Sequence, residues 1–147
     1  YTPVVDSSAI PTGEIASVEG TPMDFQTEKQ IGQDIRADFE QLHFTGGYDH
    51  NYVLGRPGEK KIMANAYCRE SGIALEAATD CCGVQFYAGN FIGEQTGKGG
   101  AAYHDRSAFC LESQFYPNAV NEPDFPSPVV KAGDTYHTET SYRFYLR

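Results

Sequence analysis

Thr135-Tyr136-His137-Thr138-Glu139-Thr140-Ser141-Tyr142-Arg143-Phe144-Tyr145-Leu146-Arg147 alternates with a period of two. Tyr136, Thr138, Thr140, Tyr142, Phe144 and Leu146 fall on one face, and His137, Glu139, Ser141, Arg143, Tyr145 and Arg147 on the other. Successive side chains of an extended chain point to opposite sides, so this pattern predicts a long strand with one face buried and one in water. Upstream the reading stays the same. Asn51 to Leu54, Val84 to Ala88 and Ala108 to Gln114 read as short apolar strands. Lys61 to Tyr67 and Ile73 to Thr79 flank Arg69-Glu70-Ser71-Gly72, which predicts a hairpin. A further short strand is expected over Glu14 to Val18. Only Ile35, Phe39 and Leu42 carry helical spacing, predicting one short helix over Gln33 to Leu42. The fold class is therefore all-β: antiparallel strands and short turns, hence a sandwich or barrel.

Composition agrees. The 147 residues include 15 Gly and 8 Pro, which break helices, and 10 Tyr and 9 Phe, which favour strands. The length suits one domain, and no linker or internal repeat divides it. Twenty Asp and Glu against 11 Lys and Arg give a net charge of −9, so nucleic acid and anionic membrane surfaces are poor partners. No apolar run approaches the roughly 20 residues of a spanning helix, and the opening residues do not read as a signal peptide.

Four cysteines, Cys68, Cys81, Cys82 and Cys110, form no CxxC pair, so the tetrahedral zinc pattern is missing. Neighbouring Cys81 and Cys82 should diverge on an extended chain, and Cys110, between Phe109 and Leu111, reads as a small buried hydrophobe. With no Asn-x-Ser/Thr site either, free thiols and a reducing, cytoplasmic setting are expected. Gly97-Lys98-Gly99-Gly100-Ala101-Ala102 matches GxGxxA but lacks the flanking strand and helix of a dinucleotide site. It fails as a P-loop too, with Ile92 at the first glycine and Gly99 at the Ser/Thr position.

Three polar residues in apolar runs remain as candidates for chemistry. Glu112 shares a strand face with Cys110 and Gln114, where burial would raise its basicity as a general base requires; a half-exposed strand would instead leave it in solvent, where most carboxylates lie. Gln85, in Gly83-Val84-Gln85-Phe86-Tyr87, offers donors and an acceptor to a sugar hydroxyl, or a hydrogen bond across the sheet. Asp49, in Gly46-Gly47-Tyr48-Asp49-His50-Asn51, suits a hydroxyl contact or a turn cap. The adjacent His50 cannot face Asp49 on an extended chain, so no dyad follows. Isolated polar groups among many aromatic rings point to carbohydrate.

Gly47-Tyr48-Asp49-His50-Asn51, Gly83-Val84-Gln85-Phe86-Tyr87 with Gly89-Asn90-Phe91, and Phe109-Cys110-Leu111-Glu112-Ser113-Gln114 together resemble the aldose 1-epimerase (galactose mutarotase) family. Ile10-Pro11-Thr12-Gly13-Glu14, Gly97-Lys98-Gly99-Gly100 and Asn121-Glu122-Pro123-Asp124-Phe125-Pro126-Ser127 add to the resemblance, in the family's order. It implies that residues 1–147 are the C-terminal part of one large antiparallel β-sandwich. It also implies that the intact protein interconverts α and β anomers of aldoses such as glucose and galactose, without metal or cofactor. Under it Glu112 is the catalytic base, while Asp49 and Gln85 hold substrate hydroxyls. The acid histidine, a second histidine and an arginine lie upstream in the family, and His43, His50, His104 and His137 do not match them. The expected partners are a monosaccharide aldose and the missing N-terminal part. The alternative is a non-catalytic carbohydrate-binding β-sandwich. One departure stands out: Asp80-Cys81-Cys82-Gly83 lacks the proline that the family usually has before the glycine.

Overall fold

The computed structural model describes residues 1–147. One short helix, α1 (Glu40–Thr45), precedes eight strands: β1 (Asp49–Val53), β2 (Lys61–Tyr67), β3 (Ile73–Thr79), β4 (Gly83–Tyr87), β5 (Gln95–Thr96), β6 (Ala102–Tyr103), β7 (Cys110–Gln114) and β8 (Thr140–Leu146). All pairings are antiparallel. One sheet runs β1-β4-β7, a second β2-β3-β8, and β5-β6 form a small ribbon. The β2–β3 hairpin closes as expected, with Gly72 at φ 68 supplying the left-handed turn residue. No helix is long and apolar enough to cross a membrane.

Residues 1–48 contribute almost no strand yet build the core. Tyr1, Met23, Ile35, Leu42 and Tyr48 pack with Phe86 and Ala88 against one face of the first sheet. Tyr48 stacks on Phe86 at 5.4 Å between centroids, and Phe25 meets both rings edge-on. Pro22 and Met23 carbonyls accept the Tyr48 and Tyr52 hydroxyls, which fixes the coil to β1. Aromatic burial of this kind substitutes for a second sheet at this position.

Three sequence expectations change. Glu14 to Val18 forms no strand: the Thr12 and Ser17 hydroxyls accept from the Glu14 and Glu19 N–H groups, and such local bonds compete with a ladder. The helix begins at Glu40, because Phe39 is extended and Lys29, bonded to the Pro22 carbonyl and the Asp34 carboxylate, holds the preceding segment in turns. Ile35 and Leu42 still reach the same core, so their spacing reported burial rather than a helix. The last strand starts at Thr140, since Thr138 and the Glu139 N–H are captured by the Asp80 carboxylate. Its apolar face is not buried: Tyr142, Phe144 and Leu146 are 48%, 68% and 81% exposed.

That open face borders a cavity of about 420 Å³ lined by Leu75, Phe109, Cys110, Leu111, Tyr142 and Phe144, where the two sheets meet. The Tyr142 hydroxyl donates to the Leu111 carbonyl at 2.7 Å, and the Ser113 and Thr140 hydroxyls pair at 2.6 Å, linking β8 to β7. All four cysteines are free thiols, but Cys110 is exposed, contrary to its apolar neighbours' suggestion. Phe109 and Leu111 point to the other side of β7, so the local run gave no information about the face that Cys110 occupies.

Candidate active site

The first sheet has two chemically distinct faces, and its register defines them. Asp49, Tyr87 and Cys110 form one cross-strand row, Asn51, Gln85 and Glu112 the next, and Val53, Gly83 and Gln114 a third. These nine residues share one face. His50, Tyr52, Val84, Phe86, Leu111 and Ser113 alternate with them and face the other way. One side of the same three strands is thus core; on the other, Asp49, Gln85, Glu112 and Gln114 form a polar surface, while Val53 packs on a second apolar cluster of Cys82, Tyr116, Ala119 and Phe125.

Asp49 is delivered to that surface by the α1–β1 corner. Gly46 ends the helix in the left-handed conformation, with φ 65. Gly47 follows at φ 137, and a Cβ there would overlap Asn90 Oδ1. Buried Asn90 donates to the Thr45 and Tyr48 carbonyls at 3.1 and 3.0 Å, locking the corner. The Gly47-Tyr48-Asp49 and Gly89-Asn90 segments are therefore one construction, in which the second holds the first in place.

Gln85 Nε2 donates to Asp49 Oδ1 at 2.8 Å. Gln114 Nε2 donates to Gln85 Oε1 at 3.1 Å and to Asn51 Oδ1 at 3.2 Å. Glu112, directly across from Gln85 on edge strand β7, is exposed to solvent. The structure thus brings Asp49, Gln85 and Glu112 onto one face, although 63 positions separate the first from the last. Burial, then the charges of Glu112 and Asp49, push the Cys110 thiol above its ordinary value. Cys110 stands beside Asp49 and Glu112 on the same face, which is why their charges act on it. Asn51 and Gln114 escaped the sequence reading as site residues. The available signal was that Gln114 lies two residues past Glu112, on the same strand face.

His50 is fully buried on the core side, edge-on to the Tyr1 ring at 5.9 Å. Its Nδ1 accepts the Asp49 N–H at 3.3 Å, while its Nε2 has no partner. Burial lowers its pKa to about 4. No histidine stands in the three rows of the polar face. No group of three or more His, Cys, Asp or Glu side chains could hold a metal ion.

The Cys81-Cys82 loop feeds Gly83 into β4 without the proline. The Cys81 thiol meets Thr138 at 3.0 Å, while the Cys82 thiol donates to the Gln114 carbonyl at 3.7 Å, so the two side chains diverge. The Leu54 N–H bonds the Cys82 carbonyl at 2.8 Å, which carries the β1–β4 pairing through the loop.

Two carboxylates, an amide pair and a tyrosine ring on an open sheet face suit a polyhydroxylated small molecule: carboxylates accept from hydroxyls, and amides both donate and accept. Comparison with known proteins defines the class more closely. The family described as aldose 1-epimerase matches residues 1–143. Galactose mutarotase from Sus scrofa is 43% identical over 141 residues, covering 95% of this chain and 40% of the relative. Aldose 1-epimerase from Escherichia coli K12 is 35% identical, covering 98% of this chain and 42% of the relative. A crystal structure of an aldose epimerase homologue from C. elegans superposes with a TM-score of 0.78 at 30% identity, over 99% of this chain and 42% of that one. The chain belongs to the aldose 1-epimerase family. It spans about two-fifths of the length of these relatives.

Proposed function

We propose that the protein to which this chain contributes interconverts the α and β anomers of aldoses such as glucose and galactose, with Glu112 as the general base. The observation that carries the reading is the cross-strand grouping of Glu112 with Gln85 and Asp49 on an open polar face. The relatives' names, galactose mutarotase and aldose 1-epimerase, support it.

In this mechanism Glu112 removes the proton from the anomeric hydroxyl while an acid protonates the ring oxygen. The bond from C1 to the ring oxygen breaks and the anomeric carbon becomes an aldehyde. Rotation about C1–C2 and closure on the opposite face return both protons, so atoms and charge balance with no redox change. Asp49 and Gln85 hold substrate hydroxyls, and the Tyr87 ring, in the same row as Asp49, offers an apolar surface to the sugar. The family resemblance implies that the acid is a histidine upstream of this chain; that the polar face has no histidine and His50 lies in the core supports this.

On this reading the chain is the C-terminal part of a single β-sandwich domain. The polypeptide that the relatives carry beyond the matched region is its structural partner. It covers the apolar face of Tyr142, Phe144 and Leu146 and completes the sugar site. The free thiols fit a reducing compartment such as the cytoplasm.

The test is polarimetry of freshly dissolved α-D-galactose with the full-length gene product. Glu112→Gln preserves shape and removes the proton acceptor, so kcat should fall by roughly 10²–10⁴-fold with KM little changed. Asp49→Ala should mainly raise KM. Undiminished turnover by Glu112→Gln would remove the base from the scheme. Sugar binding without any turnover in the unmutated protein would favour the non-catalytic carbohydrate-binding alternative.

A further inference from the structure

We propose that Gln114 is a positioning residue for the sugar site, acting through Gln85 on Asp49; the proposal rests on the assignment of those two residues to substrate binding. The argument comes from the direction of the hydrogen bonds. Asp49 as a carboxylate can only accept, so Gln85 must turn its Nε2 toward it, and the bond is 2.8 Å. That fixes Gln85 Oε1 on the opposite side, where it needs a donor. Gln114 Nε2 supplies one at 3.1 Å and donates a second bond to Asn51 Oδ1 at 3.2 Å. Both N–H groups of one amide are thereby used, and the Gln114 side chain has a single satisfied orientation. The relay runs Gln114 to Gln85 to Asp49, and each step dictates the next.

The far end of the relay is buried. Asn51 is 2% exposed, and its Oδ1 sits over Gly83, where a Cβ would overlap it. Its Nδ2 has no partner, so its one side-chain hydrogen bond is the one from Gln114. The Cys82 thiol meets the Gln114 backbone carbonyl at 3.7 Å, so main chain and side chain of Gln114 are both held. The consequence lies at the sugar. With its amide fixed, Gln85 presents its second N–H as a donor beside a carboxylate that accepts, so two hydroxyls meet a preset donor–acceptor pair. If Gln85 turned over, its oxygen would face the Asp49 carboxylate and the pair would be lost. Glu112 bonds to neither amide, so the relay acts on binding and not on the base.

Two variants of the full-length gene product test this. Gln114→Glu is nearly isosteric but can donate nothing. It should turn the Gln85 amide over and raise KM for galactose by about tenfold, with kcat within about twofold. Gln114→Met removes the donors without adding charge and should raise KM by a smaller factor. The decisive measurement repeats Gln114→Met in a Gln85→Ala background. A residue that acts through Gln85 has nothing left to act on there, so KM should not rise further; a merely structural residue would add its full effect again. Melting temperatures identify any variant that fails to fold, and galactose affinity by calorimetry gives a second readout. The proposal is overturned if both Gln114 variants fold and bind galactose normally while Glu112→Gln loses turnover; the base assignment then stands alone. It is also overturned if the Gln114 and Gln85 effects multiply. If the unmutated protein neither turns over nor binds galactose, the underlying reading falls and the proposal with it.

Discussion

His50 shows what one residue's placement does to the whole site. Alternation along β1 sends Asp49 to the polar face and His50 to the core, so the pair cannot act together despite being neighbours. This was legible in the sequence, because it needs only the two-residue period. What the sequence withheld was how dry the position is, since the burying rings come from Tyr1 and the coil before β1. Burial holds the folded pKa at about 4, against an ordinary 6.5. Between these values the unfolded chain binds a proton that the folded one refuses, so stability rises with pH in that window. Lowering the pH through this window should therefore cost stability, and urea titrations of the full-length product at several pH values measure it. His50→Phe should flatten that part of the profile; an unchanged slope would mean that His50 titrates normally. Gly83 makes a second case. Its added Cβ would overlap Asn51 Oδ1 and lie 2.9 Å from the Tyr116 ring, both buried. Gly83→Ala should lower stability by about 1–3 kcal/mol through overpacking, and should raise KM by displacing Asn51 from Gln114. Calorimetric melting and polarimetry read the two effects separately.

At the scale of elements, β8 separates what a pattern specifies from what it does not. Period two correctly gave a strand and its two faces, and β8 pairs with β3 from Ile73↔Leu146 to Thr79↔Thr140. The same pattern predicted burial of Tyr142, Phe144 and Leu146, yet their face is open. A pattern records what a face is suited to contact, and no segment of residues 1–147 covers this one. The short helix expected near Gln33 to Leu42 forms instead over Glu40–Thr45, for a related reason. Three apolar positions signalled core contacts that turns satisfy equally well, and the Lys29 bonds that hold those turns are polar side-chain contacts that apolar spacing does not record. If the rest of the protein covers β8, Phe144→Ser should destabilise the full-length product by at least about 2 kcal/mol, as loss of a buried aromatic does. A change within about 0.5 kcal/mol, typical of surface sites, would mean that the face stays open. Urea unfolding distinguishes these outcomes.

For the molecule as a whole, the polar face is, on the proposed reading, a site with one side. Strands β1, β4 and β7 supply a floor of Asp49, Gln85 and Glu112, but β7 is an edge strand and Glu112 stands exposed on it. The rows of this floor contain carboxylates, amides, a tyrosine and a thiol, and no histidine. A base left in water keeps little of its advantage, because solvent competes for the same proton and screens the developing charges. Ring opening also needs a proton delivered to the ring oxygen as the anomeric proton leaves, and in the proposed mechanism the acid that delivers it is a histidine upstream of this chain. Residues 1–147 alone should therefore leave the mutarotation of α-D-glucose at the buffer rate, even at high chain concentration. Adding the complementary polypeptide as a separate chain should restore turnover to the extent that it covers the β8 face, and Phe144→Ser should weaken that restoration before it alters KM. The check is polarimetry of the isolated chain, the complementary chain and their mixture against buffer alone. Catalysis by residues 1–147 alone would mean that the acid lies within this chain, with His50 the first suspect, although it would have to leave the core to reach the sugar.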